Sequence, residues 1–111
     1  MKRTTETDLK RAVYTFLTLT YPDGVFWIGN AGMRFYEAKG KKYAIKLGPT
    51  GSPDVAGMLP PDGRFIGVET KMPGKKQTPA QKEWQIKTER AGGLYIVAYN
   101  LDDVAWALNG A

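Results

Sequence analysis

The sequence predicts an α+β fold, a mixed central sheet with helices packed against it, and three observations carry that reading. Leu9, Val13, Phe16 and Leu17 recur at the spacing of one helical face. Between Val25 and Lys71 a series of β-rich runs is separated by glycine and proline turns. A capped helical segment then leads into the apolar run Leu94-Tyr95-Ile96-Val97-Ala98-Tyr99. The order of helix, several strands, helix, strand and helix is that of a sheet covered by helices.

The first helix is expected to start at Thr4 or Thr5, whose side chains suit the N-cap, and to run to about Thr20, where Tyr21-Pro22-Asp23-Gly24 stops it. Val25-Phe26-Trp27-Ile28 reads as a strand, Gly29-Asn30-Ala31-Gly32 as a turn and Met33-Arg34-Phe35-Tyr36 as a second strand. Lys39-Gly40-Lys41-Lys42 then forms a hairpin connection into Tyr43-Ala44-Ile45-Lys46. After Gly48-Pro49-Thr50-Gly51-Ser52-Pro53, the run Asp54 to Leu59 is the next strand, and Pro60-Pro61-Asp62-Gly63 turns it into an antiparallel partner, Arg64 to Lys71. Thr78-Pro79-Ala80-Gln81 carries a threonine cap, a proline at the first helical position and a glutamine at the third. Gly92-Gly93 ends that helix. Leu94 to Tyr99, the most hydrophobic strand, is expected at the centre of the sheet, with Leu101 to Leu108 as a closing helix. A length of 111 residues with 42% hydrophobic residues fits one domain spanning 1–111.

Composition narrows the chemistry. The chain has no cysteine and no histidine, which excludes disulfides, thiolate catalysis, sulfur-ligated zinc and histidine general bases. A metal would have to be held by oxygen, which suits magnesium, or manganese. No apolar run is long enough for a membrane span, and the amino terminus lacks a signal-peptide pattern, so an intracellular, cytoplasmic protein is expected. The formal charge of +5 favours an anionic partner. Lys39, Lys41, Lys42 and Lys46 form one acid-free run, and Lys71, Lys75 and Lys76 form another. Such clusters neutralise phosphates, although each also suits a solvated hairpin tip or loop.

Side chains alternate along a strand, so Ile66 and Val68 share one face of the run from Arg64 to Lys71 while Glu69 and Lys71 share the other. Glu-x-Lys alone is commonly a solvated pair. Asp54 changes that reading: if the two strands pair through the Pro60 to Gly63 turn, it falls opposite the far end of the second strand, near Glu69 and Lys71. Asp54, Glu69 and the backbone carbonyl of Thr70 would then be candidate ligands of a magnesium ion, with Lys71 steadying a nucleophilic water or the charge on a phosphate.

Gly51-Ser52-Pro53-Asp54, Glu69-Thr70-Lys71 fifteen residues after that aspartate, and Gln81 on the following helix resemble the PD-(D/E)xK nuclease superfamily, most closely its virus-type replication-repair (VRR-NUC) branch. The resemblance extends from the first helix through the Leu94 to Tyr99 strand. It implies a restriction-endonuclease-like core and magnesium- or manganese-dependent cleavage of DNA phosphodiester bonds. Asp54 and Glu69 would be metal ligands, Lys71 the catalytic lysine and Gln81 a supporting residue, which the capping pattern with Thr78 also explains. A glutamate of the first helix commonly completes such a site. Glu6 is the candidate, roughly 60° around the helix from Leu9 at about 100° per residue, although an acid in a first turn also suits the helix dipole. Lys75, Lys76 and Lys82 are candidates, with Lys39, Lys41 and Lys42, for DNA contacts.

Stand-alone members resemble small Holliday-junction resolvases, which implies a homodimer acting on branched DNA in replication, repair or recombination. The setting would be that of a phage or prophage, in the host cytoplasm. A non-catalytic DNA-binding or assembly module with the same fold is the alternative. Trp27, Trp84 and Trp106 are read as core or interface residues, and Tyr36 and Tyr43 as substrate or subunit contacts.

Overall fold

The computed structural model describes residues 5–29 and 32–110, and the side chains of all of these except 32–34 and 45–48. The middle of the expected Gly29 to Gly32 turn and the alternative cap Thr4 lie outside the described residues, as does the side chain of Lys46. The elements are α1 (Glu6–Thr20), β1 (Val25–Ile28), β2 (Gly32–Ala38), β3 (Lys41–Gly48), β4 (Val55–Leu59), β5 (Arg64–Thr70), α2 (Pro79–Arg90), β6 (Leu94–Ala98) and α3 (Leu101–Asn109).

Four strands form a mixed sheet in the order β1-β4-β5-β6, with β1, β4 and β5 antiparallel in sequence and β6 parallel to β5. The parallel pair needs a crossover, and α2 supplies it. The last strand therefore stands at the sheet edge, not at the centre as its composition suggests. Its apolar character has another cause: helices cover both of its faces, so it is buried without a second neighbouring strand. β5 is the strand buried on both faces and paired on both sides.

Thr5 caps α1 by accepting from the Asp8 backbone N–H at 3.1 Å, while Asp8 accepts from the Thr5 N–H at 3.1 Å. Leu9, Val13 and Leu17 of that helix pack with Phe26, Val55, Leu59, Ile66, Val68, Ile96 and Ala98 of the sheet and Val104 of α3. This core occupies one face, under α1 and α3. The other face carries Gly67, Glu69 and Tyr95, and α2 lies over it. Strand alternation thus separates a largely apolar face, with Thr70 at its end, from one with room for polar chemistry.

Among the described residues β2 and β3 pair only with each other, as a two-stranded hairpin apart from the main sheet. None of the buried core among the described residues comes from it. Tyr36 and Tyr43 stand opposite each other on it and stack with ring centroids 5.2 Å apart and planes at 17°. Phe35 is 74% exposed. Trp106 is 82% exposed and Trp27 is also exposed, so neither belongs to the core; Trp27 lies on edge strand β1 and Trp106 on the outer side of α3, where no element covers them. No described helix is long and apolar enough to cross a membrane.

Candidate active site

The β4–β5 register places Val55 opposite Val68, so Asp54 and Glu69 stand one step further along, where the hairpin opens. Asp54 precedes β4 rather than starting it. Its position is set by the loop before it. Gly51 has φ of 84° and presses on the backbone of Ala80 at the start of α2, where a Cβ would meet the Ala80 carbonyl carbon at 2.7 Å. Pro53 is buried against Gly67, and a Cβ on that glycine would approach the proline ring to 2.9 Å. The Asp54 carbonyl accepts from the Gly29 N–H at 2.7 Å. The Gly51-Ser52-Pro53-Asp54 segment is therefore a clamp between β5, α2 and the end of β1, and it delivers one carboxylate.

Asp54 Oδ2 accepts two hydrogen bonds from Thr70, one from its backbone N–H and one from its hydroxyl, each 2.8 Å long. The other oxygen, Oδ1, faces the ammonium of Lys10 on α1 at 3.7 Å. Glu69 is only 2% exposed. Its Oε1 accepts from Gln81 Nε2 at 2.8 Å, and its Oε2 is buried with no hydrogen-bond partner among the described residues. Burial raises the Glu69 pKa first, and the negative charge of Asp54 raises it further, with Lys71 pulling the other way and Glu6 adding to the rise. The outcome is a carboxyl pushed up to about 8.

Gln81 performs two tasks at once. Its Oε1 accepts from the Thr78 N–H at 2.9 Å while Thr78 Oγ1 accepts from the Gln81 N–H at 3.2 Å, completing the capping box. Its Nε2 is thereby turned towards Glu69. The helix start and the carboxylate are joined through one amide.

Lys71 follows β5, half-buried, and its N–H donates to the Ala98 carbonyl at 2.9 Å, which prolongs the β5–β6 pairing to the site. Glu6 is exposed in the first turn of α1 and reaches Glu69 by charge alone. Among the described residues no three acidic side chains come together as a metal cluster. The carboxylate oxygens gathered here are those of Asp54 and Glu69, and Thr70 is joined to Asp54 through its backbone N–H and hydroxyl. A groove of ≈ 1010 Å³ runs past Thr5, Glu6, Leu9, Met72, Pro73 and Tyr99, beside the segment that follows Lys71.

Lys75, Lys76 and Lys82 are exposed, on the loop after the site and on α2. The Tyr99 hydroxyl donates to the Lys75 carbonyl at 2.7 Å and ties that loop to the end of β6. Lys39, Lys41 and Lys42 are exposed at the tip of the β2–β3 hairpin, with Lys39 at a φ of 50°.

Sequence reasoning missed Lys10, the Thr70 side chain and Tyr95. Lys10 follows Glu6 by four residues, the spacing that places two side chains on one face of a helix, so the signal was present. Thr70 gave none, because only the fold turns its hydroxyl to Asp54. The Tyr95 hydroxyl is buried without a partner among the described residues, on the same face of the sheet as Glu69, and its pKa is raised by burial first and the Glu69 charge second. Comparison with known protein families and with curated proteins finds no match.

Proposed function

We propose that this chain is a divalent-metal-dependent DNA endonuclease with a restriction-endonuclease-like core, of the VRR-NUC branch of the PD-(D/E)xK superfamily. The observation that carries the reading is Glu69: a carboxylate almost without solvent contact, with one oxygen unbonded, beside a second carboxylate and two residues from a lysine. A purely structural acid would have both oxygens satisfied or would face water. The orphaned oxygen fits a cation ligand, and the donor set of Asp54, Glu69 and the Thr70 carbonyl is the all-oxygen type that suits magnesium or manganese.

When bound, such an ion supplies Lewis acidity and lowers the pKa of water. The chain's own residues do the remaining work. Thr70 and Gln81 fix one oxygen each of Asp54 and Glu69, so the carboxylates meet the substrate without reorganising. Lys71 offers a positive charge to the phosphate as water adds to phosphorus and one ester P–O bond breaks, the departing sugar oxygen taking up a proton. Lys75, Lys76 and Lys82 grip the backbone near the site, and the lysines and stacked tyrosines of the β2–β3 hairpin hold more distant DNA.

Branched DNA as the preferred substrate, action as a homodimer and a cytoplasmic location belong to the same proposal and follow from the resemblance to small resolvases. The test is cleavage of labelled single-stranded, duplex, flap and four-way-junction DNA with magnesium or manganese. Wild-type nicking that Lys71→Ala abolishes supports the reading. Equal inertness of both proteins on every substrate and metal would leave a non-catalytic DNA-binding module.

A further inference from the structure

We infer that Lys10 is a resident counter-cation of the site: it occupies the Asp54 oxygen that a divalent ion needs, and so sets how much metal the protein requires for loading. The inference rests on the endonuclease reading above. Asp54 has two oxygens, and Oδ2 is committed to the backbone N–H and hydroxyl of Thr70. Oδ1 is the oxygen left for a ligand, and Lys10 Nζ stands 3.7 Å from it.

The contact is partly sheltered, with both side chains about a quarter exposed or less, so it is stronger than an open surface pair. It comes from α1, an element held to the sheet by Leu9, Val13 and Leu17, whereas the other ligands come from β5 and the loop before β4. α1 therefore presents a built-in cation across the opening of the site. Without a metal, the Lys10 ammonium faces Asp54 Oδ1 in the place a divalent ion would take. Loading requires the ammonium to leave Oδ1, and its flexible four-carbon stem lets it swing out without moving the helix. Lys10 is thus a positioning residue acting through Asp54, distinct from Lys71, which follows β5 two residues after Glu69.

The experiment is calorimetric titration of Mn²⁺ into the full chain without DNA, for wild type, Lys10→Met, Lys10→Gln, Lys10→Arg and Asp54→Asn, each first matched to wild type by circular dichroism. Lys10→Met and Lys10→Gln should bind Mn²⁺ about five- to tenfold tighter, and Lys10→Arg should restore the wild-type affinity. Unchanged or weaker binding in both neutral variants, with Asp54→Asn impaired, overturns the role of Lys10 and leaves the metal site standing. Wild type that binds no Mn²⁺, or binds it no better than Asp54→Asn, overturns the metal site itself and the role of Lys10 with it.

Discussion

Gln81 spans Thr78 and Glu69: its amide oxygen caps α2 while its amide nitrogen donates to the Glu69 carboxylate at 2.8 Å. The two duties separate under substitution. Gln81→Glu keeps an acceptor for the cap but sets a carboxylate against Glu69, whereas Gln81→Ala loses both. Gln81→Ala should cost about 1 kcal/mol of stability from the cap. Gln81→Glu should melt closer to wild type and still lose most DNA cleavage. Thermal melts paired with single-turnover cleavage distinguish them, and equal activity of Gln81→Glu and wild type would remove Gln81 from the site.

Stability should fall as pH rises in metal-free buffer. The folded protein holds the Glu69 proton up to about 8, against an ordinary value of 4.5. Between those values the folded state binds a proton that the unfolded chain has released, so folding takes up a proton and higher pH opposes it. The stabilisation is fully present below pH 4.5 and lost as pH passes through 8. The melting temperature in EDTA should drop by about 5 °C or more across that window, and Glu69→Gln should flatten the slope. A wild-type profile that rises towards pH 8 would contradict the buried, protonated carboxyl.

Magnesium should reverse that trend. A ligand that binds only the folded state adds stability as its concentration exceeds Kd, and it requires Glu69 to be ionised, so the gain should grow with pH. Millimolar Mg²⁺ or Mn²⁺ at pH 8 should raise the wild-type melting temperature, and Asp54→Asn should abolish the rise.

Thr70→Val keeps the shape of a fully buried side chain but removes the hydroxyl that donates to Asp54 Oδ2. The expected loss is about 1–2 kcal/mol by chemical denaturation, together with a fall in cleavage, because the carboxylate keeps only the backbone donor. Thr70→Ser retains the hydroxyl and should recover most of the cleavage.

Much of the fold was legible because local signals agreed with one another. The Leu9, Val13 and Leu17 stripe, the Thr78 capping box and the Pro60 to Gly63 turn each depend on neighbouring residues, and each appears where the spacing puts it. The position of β6 was not legible, because apolar composition reports burial and is blind to whether a helix or a strand does the burying. The pairing of β2 with β3 was legible from the Lys39 to Lys42 connection, but its separation from the main sheet was hidden, since its runs look like any other strands until the remaining partners are known. At the site, the approach of Asp54 to Glu69 followed from hairpin pairing. Lys10 and the Thr70 hydroxyl needed the tertiary packing of α1 and the turn of a single side chain.

The hairpin that stands apart from the sheet has a consequence for how such a molecule can change over generations. Phe35, Tyr36, Lys41, Lys42 and Tyr43 are exposed and contribute nothing to the core, so they can be exchanged with little effect on the folding of the rest. The loop that carries Asp54 lies under the opposite constraint: Gly51 presses on Ala80 and Pro53 on Gly67, and an added Cβ at either glycine has no room. The surroundings of the carboxylates are thereby fixed by the scaffold, while the exposed face of the hairpin is free to drift.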